Sequence, residues 1–219
     1  MKIGAFFDMD RTLLTESSTL LMVRYMRRRQ LLQRGQVMWL MWARIRLRLG
    51  MADIPTITRQ MVQSMAGSPE ADQVAFARKW FQEQLIHYVS EAGRSSVADH
   101  RARGHRLAVI TGSPVYTAGP LAQHLEISPE DVLATRFEVE DGRFTGRLVE
   151  PMCYQEGKLA YAQAYADRHG LDLSASYFYT DSIDDLSLLE RVGHPVAVNP
   201  DSALLRLAQE RAWPVVSFY

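Results

Sequence analysis

The sequence predicts an α/β protein: a doubly wound, Rossmann-like parallel sheet with an all-helical cap inserted after the first strand. Three observations carry this. The apolar run of Ile3 and Ala5 to Phe7 reads as a fully buried strand close to the N-terminus. Residues from about 17 to 89 show helical periodicity and no strand signal. From Arg106 onward, short apolar and β-branched runs alternate with helical patterns, as βαβ units require. A chain of 219 residues, 47% hydrophobic and 23% charged, is enough for one medium domain, or one domain with an insertion, and a sizeable core.

The first strand runs into two carboxylates, Asp8 and Asp10, one residue apart. Side chains at i and i+2 of an extended segment point the same way, so both converge on the strand's C-terminal edge. That edge is where open α/β sheets bind ligands. Two like charges this close need a cation or a shared proton. The pair therefore points to a bound metal, to a nucleophile beside an acid/base, or to both. A solitary Asp-x-Asp is more often two capping residues in a loop, so the rest of the chain must decide.

The elements follow in order. A helix is expected from Ser17 to about Leu32, with Leu21, Met22, Tyr25 and Met26 as its apolar face and Gly35 as punctuation. A second runs from Val37 to Leu49. It is too short and too charged to span a bilayer. Asp53 and Pro55 open a third, closed by Gly67-Ser68-Pro69, and a fourth runs from Glu70 to Tyr88. These make a cap of residues 17–89; residues 1–16 and 90–219 make the core. In the core, Arg106–Thr111 is a strand and Pro114–Leu125 a helix. Val132–Glu140 and Arg143–Val149 flank the hairpin signal Asp141-Gly142. Lys158–His169 is a helix, Tyr177–Thr180 a strand, Asp184–Arg191 a helix, Pro195–Val198 a strand, Ser202–Arg211 a helix and Val215–Phe218 a last strand.

Three more polar clusters sit where strands end or helices begin. Thr111-Gly112-Ser113 combines two hydroxyls and a glycine ahead of a helix N-terminus, a setting suited to phosphate. Lys158 opens a helix after Glu156-Gly157, and Asp181-Ser182-Ile183-Asp184-Asp185 forms an acidic loop. Taken singly, each reads as an ordinary cap, a solvated lysine or a polar loop. All of them in this order is a different matter. Asp8-Met9-Asp10-Arg11-Thr12, Thr111-Gly112-Ser113, Lys158 and Asp181 to Asp185 resemble the four motifs of the haloacid dehalogenase-like phosphatases. The helical insertion resembles that of the branch containing phosphoserine phosphatase.

The resemblance implies a magnesium-dependent phosphomonoesterase. Asp8 would be the nucleophile, forming an aspartyl-phosphate. Asp10 would protonate the leaving oxygen and then activate water. Asp8, the Asp10 carbonyl and Asp181 would hold Mg2+, which prefers oxygen ligands. Thr111, Gly112, Ser113 and Arg11 would bind the phosphate, Lys158 would offset transition-state charge, and Asp184 and Asp185 would orient the metal shell. The sequence also departs from the family pattern. Arg11 replaces a small hydroxyl residue, Thr180 and Ser182 replace two glycines, and Asp184 stands where asparagine is common. Phosphoserine phosphatases carry a cap arginine that grips the substrate carboxylate; Met61 aligns there, with Arg59 close by. The expected partner is a small phosphomonoester such as phosphoserine or histidinol phosphate. Alternatives are a lipid phosphate at a membrane surface, a phosphotransferase, and a silent ligand-binding relative. A signalling receiver domain is excluded by the Asp-x-Asp-x-Thr spacing and the cap.

Charge is unevenly distributed although the net is zero. Residues 1–52 hold ten Lys/Arg against three Asp/Glu, and between Glu16 and Asp53 lie eight arginines and no acid. This basic stretch reads as a solvated surface, as a lure for an anionic substrate, or as a peripheral contact with anionic lipid. Trp39 and Trp42 are read first as cap-core residues. No nucleic-acid module is recognisable. The single cysteine, Cys153, excludes an internal disulfide, and with no secretory signal evident the expected location is cytoplasmic. The oligomeric state is not legible.

Overall fold

A computed structural model describes residues 2–31 and 34–219. Strand β1 (Gly4–Phe7) is followed by a wide turn, Met9–Leu13, and four helices: α1 (Ser18–Arg28), α2 (Arg34–Arg48), α3 (Ile54–Gln63) and α4 (Glu70–Glu83). Helix α5 (Glu91–Ala102) leads into β2 (Arg106–Pro114), α6 (Val115–His124), β3 (Val132–Glu140) and β4 (Arg143–Val149). The chain closes with α7 (Glu156–His169), β5 (Tyr177–Thr180), the single turn α8 (Leu186–Leu189), β6 (His194–Val198), α9 (Ser202–Glu210) and β7 (Val215–Val216).

The strands form one sheet in the order β4-β3-β2-β1-β5-β6-β7, parallel except for the β3–β4 hairpin. β1 lies between β2 and β5, with Phe7 in register with Val109 and Tyr179. After the hairpin the chain crosses to the other side of β1, so the switch point, where doubly wound sheets bind ligands, falls at the C-terminal ends of β2, β1 and β5. Period-two alternation divides the core. Ala5, Phe7, Leu107 and Val109 pack with residues of α1, α4, α5 and α6 on one face. Phe6, Ala108, Ile110 and Phe178 pack with α7, α8 and α9 on the other.

Capping explains several boundaries. Asp53 accepts from the Thr56 N–H at 2.8 Å with Pro55 in the first turn of α3, and Asp201 accepts from Ala203 and Leu204 N–H at 2.9 and 2.8 Å to start α9. Asp141 and Gly142, both at positive φ, turn the hairpin. That hairpin also holds the helical block. Gly67 N–H donates to Phe144 O and Phe144 N–H to Ser68 O, while Val62, Ala77, Tyr116, Phe137 and Phe144 make a small core between them.

Some boundaries differ from expectation. α5 was not anticipated: only Val97, Gly93 and His100 are buried, too thin a stripe to stand out. Gly35 lies in the first turn of α2 and does not separate helices. α1 ends at Arg28, and the expected terminus at Leu32 lies outside the described residues. The fourth helix ends at Glu83, with Leu85–Tyr88 a tighter separate turn. Trp42 is 52% exposed and Trp39 half-buried, so Trp42 is not a cap-core residue. Among the described residues no helix is long and apolar enough to cross a membrane.

Candidate active site

Three strand ends and one helix start deliver the site. The Asp8 N–H donates to the Tyr179 carbonyl at 2.9 Å, extending the β1–β5 pairing by one residue and fixing where the Asp8 side chain leaves the sheet. The following turn then reverses, with Arg11 in the left-handed region (φ 56°) and Leu14 N–H closing on Met9 O at 2.8 Å. Asp10 is held from two sides. Its Oδ1 accepts from the Ser18 N–H, the first residue of α1, and its Oδ2 accepts from Ser113 Oγ at 2.8 Å. Thr111 Oγ1 accepts from the Ser113 N–H at 3.1 Å, and Thr135 Oγ1 donates to Gly112 O at 2.8 Å, setting the loop after β2.

Lys158 is the buried centre of the second network. Its ammonium donates to Asp8 Oδ1 at 2.6 Å and to Asp185 Oδ2 at 2.7 Å, and Thr180 Oγ1 donates to that same Asp185 oxygen at 2.5 Å. All four side chains are almost inaccessible to solvent. Gly157 makes this approach feasible: a Cβ there would lie 1.9 Å from the Met152 carbonyl oxygen, so only glycine lets α7 begin where it does. Gly112, expected as the close-approach glycine, would meet nothing nearer than 3.5 Å, an ordinary contact.

Burial dominates the electrostatics. It pushes Asp8 up to about 8, with Lys158 pulling the other way and Asp185, Asp181 and Asp10 adding to the rise. Asp181 is pushed up to about 7, again chiefly by burial, with Arg11 opposing. For Lys158 burial pulls down, but Asp185 and Asp8 together lift it above the usual lysine range, so the ammonium stays charged. The centre thus gathers more buried carboxyl groups than one lysine can keep ionised.

The remaining candidates are distributed around this centre. Asp181, at the end of β5, is buried; its carbonyl accepts from the Asp201 N–H at 2.8 Å, and Asp201 Oδ2 accepts from Ile183 N–H at 3.0 Å. Asp184 is turned to Tyr154 Oη (2.7 Å) and Gln155 Nε2 (3.2 Å), apart from the lysine network. Arg11 is exposed and makes no ion pair among the described residues. Arg59 is engaged with Glu150 at 3.0 Å, and Met61 packs on the small core of Val62, Ala77, Tyr116, Phe137 and Phe144. No three His, Cys, Asp or Glu side chains form a ready-made metal cluster among the described residues.

Sequence reasoning missed Ser18, Thr180, Tyr154 and Asp201 as members of this assembly. Ser18 was visible only as the second residue of the helix expected from Ser17, and Asp201 only as the residue before the helix expected from Ser202. Thr180 stood out solely as a replacement for glycine; its hydroxyl turns out to fasten Asp185.

A strand-end aspartate paired with a buried lysine at the switch point of a doubly wound sheet marks the class of α/β proteins equipped for carboxylate chemistry. The chain belongs to one family of that class: residues 5–190 match the haloacid dehalogenase-like hydrolases. It is 31% identical over 219 residues to a phosphoserine phosphatase of Mycobacterium tuberculosis, covering 98% of this chain and 70% of that one. It is 29% identical over 223 residues to a histidinol-phosphatase of Neisseria meningitidis, with all of both chains covered. A solved protein of unknown function from Bordetella pertussis superposes with a TM-score of 0.91 at 26% identity over the full length of both chains. A phospho-aspartyl intermediate analogue of phosphoserine phosphatase shares the fold, with a TM-score of 0.67 at 16% identity, covering 100% of this chain and 94% of that one.

Proposed function

We propose that the protein is a magnesium-dependent phosphomonoesterase of a small phosphorylated alcohol, working through an aspartyl-phosphate on Asp8. The observation that carries this reading is the Lys158 ammonium bridging Asp8 and Asp185 at the switch point, beside an independently held Asp10. Membership of a hydrolase family with phosphatase relatives supports it.

Lys158 occupies Asp8 Oδ1, which leaves Oδ2 to attack phosphorus. As the new O–P bond forms, the ester P–O bond breaks and the leaving oxygen takes a proton from the Asp10 carboxyl. Asp10 then accepts a proton from water, whose oxygen attacks phosphorus and releases phosphate from Asp8. Ser18 and Ser113 aim Asp10 for both steps. Thr111, Ser113, the Gly112 amide and Arg11 receive the phosphate, and Lys158 stabilises charge on the reacting oxygens. Asp185 and Thr180 position Lys158.

The donors suit magnesium: Asp8 and Asp181 are buried oxygen ligands in excess over local positive charge, and the Asp10 carbonyl would be the third. Two carboxylates and a carbonyl do not make a cluster of three side chains, and magnesium keeps waters besides. When bound, it would neutralise the carboxylates and the phosphoryl oxygens. Asp184, committed to Tyr154 and Gln155, serves as an outer anchor of the acidic loop.

We take residues 17–89 as the cap that encloses the substrate over a core of 1–16 and 90–219. Met61 packs on the small core and Arg59 is paired with Glu150, so neither of these two residues is free to grip a substrate carboxylate. This favours an amino-alcohol phosphate of the histidinol-phosphate kind over phosphoserine. Buried, unpaired Cys153 suits a cytoplasmic setting.

The test is phosphate release from a panel of phosphoserine, histidinol phosphate, sugar phosphates and a lysophosphatidate, with magnesium and with chelator, for wild type and Asp8→Asn. We expect magnesium-dependent turnover, lost by roughly a thousandfold or more in the variant. Turnover that survives Asp8→Asn would overturn the mechanism. Release from no member by a folded, magnesium-binding protein would point to a phosphotransferase or a silent relative.

A further inference from the structure

Helix α2 turns its apolar side outward. Met38, Met41, Trp42, Ile45 and Leu49 are 71%, 63%, 52%, 52% and 67% exposed. Their spacing of three, one, three and four residues places them on a single stripe of the helix, and Ala43, on the opposite side, is buried. Leu31, Met51 and Ile54, at the two ends of α2, are exposed apolar residues as well. A stripe of this width normally faces a core. Left in water it marks an interface.

Charge decides what covers it. The stretch between Glu16 and Asp53 contains eight arginines and no acidic residue. Arg27 and Arg28 are exposed, and neither they nor Arg46 make an ion pair among the described residues; the Arg46 guanidinium lies over the Trp42 ring, 4.5 Å from its centroid. A second copy meeting this one face to face would bring two such arginine-rich stretches together, like charge on like. An anionic bilayer matches both features. The stripe can enter the headgroup–acyl boundary, tryptophan suits that depth, and arginine reaches lipid phosphate while its stem stays in apolar surroundings. Residues 53–219 hold 22 Asp/Glu against 15 Lys/Arg, so the remainder of the molecule is repelled by the same surface. The protein would therefore settle with α2 down. At fifteen residues α2 lies in the interface and does not span it.

We propose that α2 is a peripheral docking element for anionic lipid bilayers, with Met41, Trp42 and Ile45 inserting and Arg27, Arg28 and Arg46 engaging the headgroups. The inference is independent of which phosphomonoester the site hydrolyses.

The experiment is co-sedimentation of the full chain with phosphatidylcholine vesicles, with and without phosphatidylglycerol, at low and high salt. Tryptophan emission and solution mass are recorded alongside. Wild type is expected to bind the anionic vesicles at least about tenfold more tightly than the neutral ones, with a blue shift that Trp42→Ser abolishes, and to release as salt rises. Met41→Ser/Ile45→Ser should weaken binding about tenfold or more. Arg27→Gln/Arg28→Gln should weaken it about fivefold per charge, on anionic vesicles alone. All these positions lie outside the catalytic assembly, so unchanged turnover of a soluble phosphomonoester reports that each variant is folded. Absence of binding at low salt, or binding unchanged in the Met41/Ile45 variant, overturns the proposal. So does a dimer that this variant converts to monomer, which would assign the stripe to a second copy.

Discussion

The C-terminal rim of the sheet and helix α2 are opposites. At the rim, carboxylates and a lysine are buried, Lys158 and Asp185 each held by two partners, and the local balance is acidic. In α2, large apolar side chains are exposed and the surrounding sequence is basic. The rim spends stability on charge that water would rather keep, which is how a buried site acquires strong electrostatics. The outer helix leaves apolar area uncovered, which gains nothing until a surface arrives. The first arrangement is tuned for chemistry on something brought inside, the second for contact with something outside.

Four variants sharpen or break this contrast. Gly157→Ala should have the largest effect. Its Cβ would meet the Met152 carbonyl oxygen at 1.9 Å, so α7 must shift and carry Lys158 with it. We expect about 4–5 kcal/mol of destabilisation by urea titration, and lost turnover; a loss under about 1 kcal/mol would show that the start of α7 is plastic. Lys158→Met comes next. It strands Asp8 and Asp185 in the interior without a countercharge, at about 3 kcal/mol. That loss should be fullest at alkaline pH, where Asp8 is ionised in both proteins, and shrink as pH falls towards about 8, because Asp8 without Lys158 takes up its proton at a higher pH than in wild type. A pH-independent loss would mean that packing, not charge, is what Lys158 supplies.

His100 gives a smaller effect of opposite sign in pH. It lies beneath the rim, Nε2 2.9 Å from the Tyr179 hydroxyl and Nδ1 2.7 Å from His105 Nδ1. Burial, then His105 and Arg103, holds it down at about 4. The unfolded chain therefore takes up this proton first, near 6.5, and the folded protein loses stability as pH drops from there towards 4. His100→Gln should flatten that acid limb by about 2 kcal/mol, read as melting temperature against pH. An unaltered limb would locate the acid sensitivity elsewhere. The smallest effect belongs to α2: Met38→Ser/Ile45→Ser should change stability by no more than about 0.5 kcal/mol and leave turnover of a soluble substrate unchanged. A marked loss would mean that the stripe packs on something within the chain.

Much of this was legible before any coordinates. The β1 apolar run, the two aspartates after it, the Asp141-Gly142 hairpin and Lys158 at the head of a helix are local signals, each written in adjacent residues. The misses were of another kind. α5 hides because its buried stripe is thin, and Thr180 looked like a lost glycine until its hydroxyl was seen on Asp185. Trp42 read as core because aromatic residues usually are, and nothing in the sequence tells which side of α2 faces outward.

By itself the sequence determined the order of the seven strands, most of the helices between them and the types of residue available for chemistry, because periodicity, caps and turns are short-range effects. Only the tertiary structure decided that Lys158 reaches Asp8 across 150 positions, that Asp184 faces Tyr154 and not the lysine, and that the apolar stripe of α2 is bare. Those outcomes depend on which surfaces meet, and that is settled by the packing of the whole chain.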